Sequence, residues 1–168
     1  MTNKPLRPCK QPGCPSLVSG GYCEKCAIRH RPNVTIVCGP PGSGKTSYAL
    51  NHMGPGDLIV DLDLIWQALT GLDIYNKPEK ILNYVLAARE AIFNELEKPD
   101  GVERSWIVIC GAKRKEREWL RRRFNAKVLM MDVTKEECLR RVREDKRRAG
   151  QERLQGALVE KWFREYEA

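Results

Sequence analysis

Residues 34–46 read VTIVCGPPGSGKT, and the fold turns on this stretch. VTIVC is a short, continuous run of apolar and β-branched residues, the pattern of a strand buried on both faces of a parallel sheet. Gly39-Pro40-Pro41-Gly42-Ser43-Gly44-Lys45-Thr46 then matches G-x-x-x-x-G-K-[ST] in full. Each position has a physical task. The glycines admit backbone angles that turn successive N–H groups inward as an anion nest. The helix expected from Lys45 onward aims its positive end at the same point. Lys45 adds a charge between the β- and γ-phosphates, and the Thr46 hydroxyl can ligate Mg²⁺. Residues 39–46, with Ser47 beside them, are therefore the expected contacts of ATP and Mg²⁺.

Outward from this loop, strands and helices alternate. DLIVD (57–61) is a second strand and LDLIWQALTG a short helix closed by Gly71. Asn76-Lys-Pro78-Glu79 reads as a helix start, with Asn76 as cap. The helix that follows carries Ile81, Leu82, Val85, Leu86, Ile92, Phe93 and Leu96 at helical spacing until Lys98-Pro-Asp-Gly101 stops it. SWIVIC (105–110) is a third strand and KVLMMD (127–132) a fourth. Between them KRKEREWLRRRF forms a basic helix whose buried side should hold Trp119, Leu120 and Phe124. Thr134 and Glu137 make a capping box for a helix that Gly150 breaks, and a last helix runs to about Tyr166. This alternation calls for an α/β fold: a P-loop NTPase three-layer α/β/α arrangement with a mostly parallel sheet.

The first residues differ. Residues 1–31 are rich in Pro, Gly and Cys, with little periodicity, so their order must come from something other than a core. Four of the seven cysteines lie here as Cys9-KQPG-Cys14 and Cys23-EK-Cys26. Two close pairs in a chain without a secretory signal are a zinc pattern before a disulfide pattern, although two disulfides or free thiols would also satisfy the spacing. Four cysteines leave no open coordination position, so the zinc would be structural. His30 lies too far beyond Cys26 to be a clear ligand. The remaining Cys38, Cys110 and Cys138 sit in apolar settings and read as small core residues. The chain thus divides into a zinc-binding module (1–31) and an ATP-binding domain (32–168).

No apolar run approaches the ~18 residues of a membrane span, and MTNKPLRPCK lacks the apolar stretch of a signal peptide. The expectation is a cytoplasmic protein with no membrane partner. The formal charge of +8 suits polyanionic partners, DNA or RNA first, though basic helices can simply be solvated. Lys113, Arg114, Lys115, Arg117, Arg121, Arg122 and Arg123 on one helix pose the same choice.

The reaction is decided by acids. The strand IVICGAK ends without the carboxylate a motor ATPase would carry. Leu58-Ile-Val-Asp61-Leu-Asp63 ends with two, which share a side if the chain is still extended there. One can help hold Mg²⁺ while the other takes the proton of a substrate hydroxyl. Asp63 can also serve only as the N-cap of LIWQAL.

GPPGSGKT, VDLDLIW and ECLRRVREDKRRAG together resemble the P-loop kinases of small molecules and polynucleotides. The likeness covers about residues 33–166. It is nearest to phage-type polynucleotide 5′-kinases, with shikimate-kinase-like and zeta-toxin-like enzymes as relatives. The resemblance implies that Asp63 is the general base and Asp61 the metal-side acid. The polynucleotide kinases carry an arginine three residues after the base, where this chain has Trp66. It also implies a lid with arginines one helical turn apart, a spacing met by Arg143 and Arg147, with Arg148 adjacent. The reaction implied is transfer of the γ-phosphoryl group of ATP to a hydroxyl, a 5′ nucleic-acid end or a nucleotide among the candidates. Two other readings remain open: an ATP-binding or ATPase module, and a nuclease adaptor docked through the zinc module. The cysteine segment resembles short knuckles at the start of some phage nucleases, which would imply a phage protein partner in the host cytosol.

Overall fold

The computed structural model describes residues 5–99 and 101–168. A two-stranded antiparallel sheet, β1 (Arg7–Pro8) and β2 (Leu17–Val18), and a short helix α1 (Glu24–Arg29) come first. The main sheet contains β3 (Asn33–Cys38), β4 (Leu58–Asp61), β5 (Arg104–Ile109) and β6 (Lys127–Met130). Its order is β4-β5-β3-β6 and every pairing is parallel. The strand expected over 57–61 starts at Leu58, and those expected to reach Cys110 and Asp132 stop at Ile109 and Met130.

Helices α2 (Lys45–His52), α3 (Leu62–Thr70), α4 (Leu82–Leu96), α5 (Arg114–Phe124), α6 (Lys135–Glu144) and α7 (Glu152–Glu165) flank the sheet. In β3 successive side chains face opposite ways, and Val34, Ile36 and Cys38 point to one side. There they meet Phe93 and Leu96 of α4 and Leu120 and Phe124 of α5 in one continuous core. Phe93 and Phe124 contact edge to face, with ring centroids 5.1 Å apart. A second cluster joins Cys138 and Val142 of α6 to Val159 of α7. The start expected at Asn76 is displaced: a 3-10 turn at Glu79–Ile81 follows Pro78, with no side-chain cap, and leads into α4. The Thr134 cap forms, its hydroxyl accepting from the Glu137 N–H at 3.3 Å. The Glu137 side chain does not close the box; it binds Arg140 and Arg141 of its own helix.

Three expectations about α5 and β5 fail. Trp119 is not on the buried side of α5 but 53 % exposed, because the α5 positions facing the sheet are taken by Arg117, Leu120 and Phe124. Cys110 lies past the end of β5 and is exposed rather than a core residue. Arg117, counted among the solvated cations, is buried instead. Its guanidinium donates to the carbonyls of Gly111 and Ala112, both at 2.8 Å, and to that of Glu167. It is a bracket that holds the α5 start and residue 167 together. Arg117→Leu would leave three carbonyls short of a donor, each loss costing roughly 1–3 kcal/mol. Chemical denaturation should show a destabilisation of about 3 kcal/mol for this variant, with Arg122→Ala within about 0.5 kcal/mol of the parent.

Candidate active site

The C-terminal ends of parallel strands face the crevice where ligands of open α/β sheets bind. Here that edge carries the loop after β3 and the acids after β4. Gly42 and Gly44 adopt positive φ of 79° and 87°, which a side chain would strain. A Cβ on Gly42 would also come within 2.8 Å of the Cys138 carbonyl in α6, so glycine is required twice over. Gly39, Pro40 and Pro41 lead into this turn, and Gly44 is the N-cap of α2. Ser43 is buried, and its Oγ has no partner among the described residues. Lys45 turns back along the loop and donates to the Pro40 carbonyl at 2.7 Å. Burial pushes its ammonium pKa down, against the pull of Asp61 and Asp63 nearby. Thr46 and Ser47 follow in the first turn of α2.

Asp61 is the last residue of β4 and the N-cap of α3. One carboxylate oxygen accepts from the Thr46 hydroxyl at 2.7 Å, the other from the Asp63 N–H at 2.8 Å. The side chain is buried, and burial raises its pKa above the ordinary carboxylate value, with the Thr46 bond opposing. The chain does not stay extended through Asp63, because α3 begins at Leu62. The two acids therefore do not share a strand face. The capping role expected of Asp63 belongs to Asp61, and Asp63 stands on the first turn of α3 with its carboxylate 41 % exposed. Lys77, from the α3–α4 connection, forms an ion pair with it. The same ammonium lies 5.9 Å from the centre of the Trp66 ring. Trp66 is buried, and its indole N–H has no partner among the described residues.

The expected lid arginines are not on one helix. α6 ends at Glu144, Asp145 is extended, and a 3-10 turn covers Lys146–Arg148. The helical-turn spacing of Arg143 and Arg147 is broken by Asp145, and Arg143 is exposed. Asp145 instead gathers the turn: it binds the Arg147 guanidinium at 2.8 and 3.0 Å and Arg148 at 3.1 Å. These partners, Arg147 foremost, hold its pKa down to about 2. Arg148 also stacks over Tyr75 at 4.7 Å, and Gln151 donates to the Tyr75 carbonyl at 3.1 Å. The arginine that reaches the phosphate-type loop is Arg141, whose Nη1 donates to the Ser43 carbonyl at 3.4 Å. Its sequence signal was only a Glu137–Arg141 pair one turn apart. Lys77 and Tyr75 had none, since they meet their partners only through the fold.

At the other end, the four Sγ atoms of Cys9, Cys14, Cys23 and Cys26 lie within 4.8 Å of one another. The Cys14–Cys23 separation is 3.7 Å, close to the ~3.8 Å edge of a tetrahedron with Zn–S bonds of about 2.3 Å. The Cys23 thiol is lowered to about 6, first by the Cys26 N–H at the start of α1. This donor set fits zinc. His30 is not part of it; it bonds Gln11 at 2.9 Å and stacks on Tyr22.

Solved structures share this architecture. A chain of the Pnkp1/Rnl/Hen1 RNA repair complex matches with TM-score 0.56 and 16% identity, over 82% of this chain and 47% of that one. A gluconokinase from Sinorhizobium meliloti 1021 matches with TM-score 0.51 and 18% identity, over 83% of this chain and 78% of that one. The likeness shows that the α/β fold is shared with these structures, a gluconokinase among them. A second Pnkp1/Rnl/Hen1 structure matches at TM-score 0.50 and 17% identity, over 67% of this chain and 39% of that one. The chain thus spans less than half the length of those repair-complex chains. No protein-family model matches it, and no curated protein matches it.

The pKa of Asp61 is higher in the fold than in the unfolded chain. The stabilisation linked to its proton is therefore complete below the unfolded value of about 3.9 and lost as pH rises through the folded one. At neutral pH the buried charge weighs against the ligand-free fold. Asp61→Asn should melt no lower than the parent at neutral pH, and its advantage should vanish below about pH 4. Scanning calorimetry of ligand-free protein across pH checks this.

Proposed function

We propose that the chain is an ATP-dependent phosphotransferase that moves the γ-phosphoryl group of ATP to a hydroxyl, with a 5′-hydroxyl nucleic-acid end or a nucleotide as the acceptor class. The observation that carries it is the bond between Thr46 and Asp61, which sets a buried carboxylate beside a hydroxyl in the first turn of α2 while leaving Asp63, two residues on, partly exposed. Residues 39–47 bind the triphosphate, and Lys45 leaves the Pro40 carbonyl for the β- and γ-phosphates. Thr46 and Asp61 fit Mg²⁺ directly or through water, and that ion supplies charge neutralisation for the transferred group. Asp63 accepts the acceptor's hydroxyl proton as its oxygen bonds to the γ-phosphorus and the β–γ bridge breaks, releasing ADP. Arg147 and Arg143 are the lid cations that close on the transferred charge, and Arg148 aids nucleotide binding. The Arg147–Asp145 pair must open for this. Arg141 already sits against the loop and joins this set. The likeness to a gluconokinase and to a chain of an RNA repair complex supports the reaction class. The repair-complex likeness also favours a nucleic-acid acceptor over a sugar.

Labelled ATP with Mg²⁺ and a panel of 5′-hydroxyl oligonucleotides, nucleosides and sugar acids tests this. Transfer to one acceptor class is expected. Asp63→Asn should lower kcat by roughly 10²–10⁴-fold with the KM for ATP little changed. Equal labelling by Asp63→Asn and the parent would remove Asp63 from the role of base. A second reading, an ATP-binding or hydrolytic module, is favoured by the Lys77 pair that engages Asp63. It predicts ATP turnover with no labelled acceptor and no effect of Asp63→Asn.

Residues 1–31 form a module held by structural Zn²⁺ on Cys9, Cys14, Cys23 and Cys26, and residues 32–168 form the phosphotransferase domain. The module is too small for a core of its own, so metal ligation stabilises it. Elemental analysis should find one zinc per chain, and chelation should unfold the module while leaving ATP binding in place.

A further inference from the structure

The exposed face of α5 has no place in the reaction above. Trp119 stands there half-exposed, one turn after Lys115 and three residues before Arg122. Positions 115, 119 and 122 recur at helical spacing, so they form one stripe. Seven residues of helix rise about 10 Å, roughly the span of two phosphates on an extended strand. The stripe lines an open groove of about 800 Å³ together with Arg114, Glu118, Arg123 and Glu167. Arg123 is neutralised by Glu90 and Glu97, and it packs 5.3 Å from the Trp119 ring, which fixes the indole from beneath. Glu118, the acid nearest the stripe, is held by Arg121 at 2.9 Å. Arg114 and Lys115, both exposed, make no salt bridge among the described residues. Arg122 lies 3.8 Å from the same Glu118 carboxylate with its guanidinium largely in solvent, so the groove offers a braced aromatic face beside two unpaired cations and one loosely held one.

We propose that this α5 face binds single-stranded nucleic acid, one base stacking on Trp119 and flanking phosphates meeting Lys115, Arg114 and Arg122. The charge pattern selects the occupant. An apolar peptide would strand the cations, and a duplex would hide its bases from the indole. Stacking is indifferent to sequence, so the face binds strands by chemistry rather than by order of bases. It lies outside the loop 39–46 and acts whether or not the chain transfers phosphate.

Fluorescence anisotropy of a labelled oligothymidylate, with full-length protein and no ATP, tests the proposal over a salt series. Binding should weaken as salt rises. Trp119→Ala should weaken it about tenfold, with Trp119→Phe retaining most of the affinity. Lys115→Ala with Arg122→Ala should flatten the salt dependence. Circular dichroism melting of each variant separates lost binding from lost fold, since the substituted side chains are exposed. Affinity unchanged in Trp119→Ala, or stronger binding to the matching duplex, overturns the proposal. So does a dimer in sedimentation that Trp119→Ala converts to monomer, which would assign the face to a second copy of the chain. Label transfer is absent from this readout, so its outcome is independent of the phosphotransferase reading.

Discussion

Asp61 is the joint on which the site is assembled. It ends β4, caps α3 through the Asp63 N–H, and takes the Thr46 hydroxyl from the start of α2. A single buried carboxylate thereby ties three elements at the C-terminal edge of the sheet. Burial disfavours its charge, and the two donors and the nearby Lys45 only partly offset that. Such an arrangement is held by the packing around it. The core of β3, α4 and α5 stabilises the sheet, and the sheet holds the buried carboxylate in place. A site of this kind stores unfavourable electrostatics in the free protein that a bound cation can relieve.

The cations divide by what they touch. Lys45 is folded back onto its own loop, Arg117 is a bracket for backbone carbonyls, and Arg123 is matched by two glutamates. Arg147 and Arg148 are gathered by Asp145, which links them through Tyr75 and Gln151 to the connection after α3. That connection also supplies Lys77 to Asp63. The segment that meets the Lys146–Arg148 turn therefore also meets the Asp63 carboxylate. What is left on the surface of α5 is Arg114 and Lys115 beside one tryptophan, with Arg121 and Arg122 sharing Glu118.

Much of the architecture was legible from local signals. VTIVC, GPPGSGKT and the alternation of strand and helix runs specify a parallel sheet with a phosphate-type loop, because buried strands, glycine-dependent turns and helix caps each leave a mark within a few residues. The cysteine spacing likewise predicted four sulfurs in one place, since short loops bring close pairs together whatever the rest of the chain does. The acids after β4 were legible as a pair but not in their division of labour. That depended on where the strand stops, and the backbone turns into α3 at Leu62, two residues earlier than an extended Asp63 requires.

Sequence by itself determined the fold class, the loop, the cysteine cluster and the candidate acids, because these depend on residue type and short spacing. Tertiary structure alone decided which cation meets which anion. Arg141 reaches Ser43 across 98 positions, Tyr75 meets Asp145 across 70, and Arg117 binds the Glu167 carbonyl across 50. It also decided that Trp119 faces out, since the sheet-facing side of α5 was already filled by Leu120, Phe124 and the buried Arg117. Long-range pairing is set by how layers pack, and a charge run carries no local mark of which of its members will be buried.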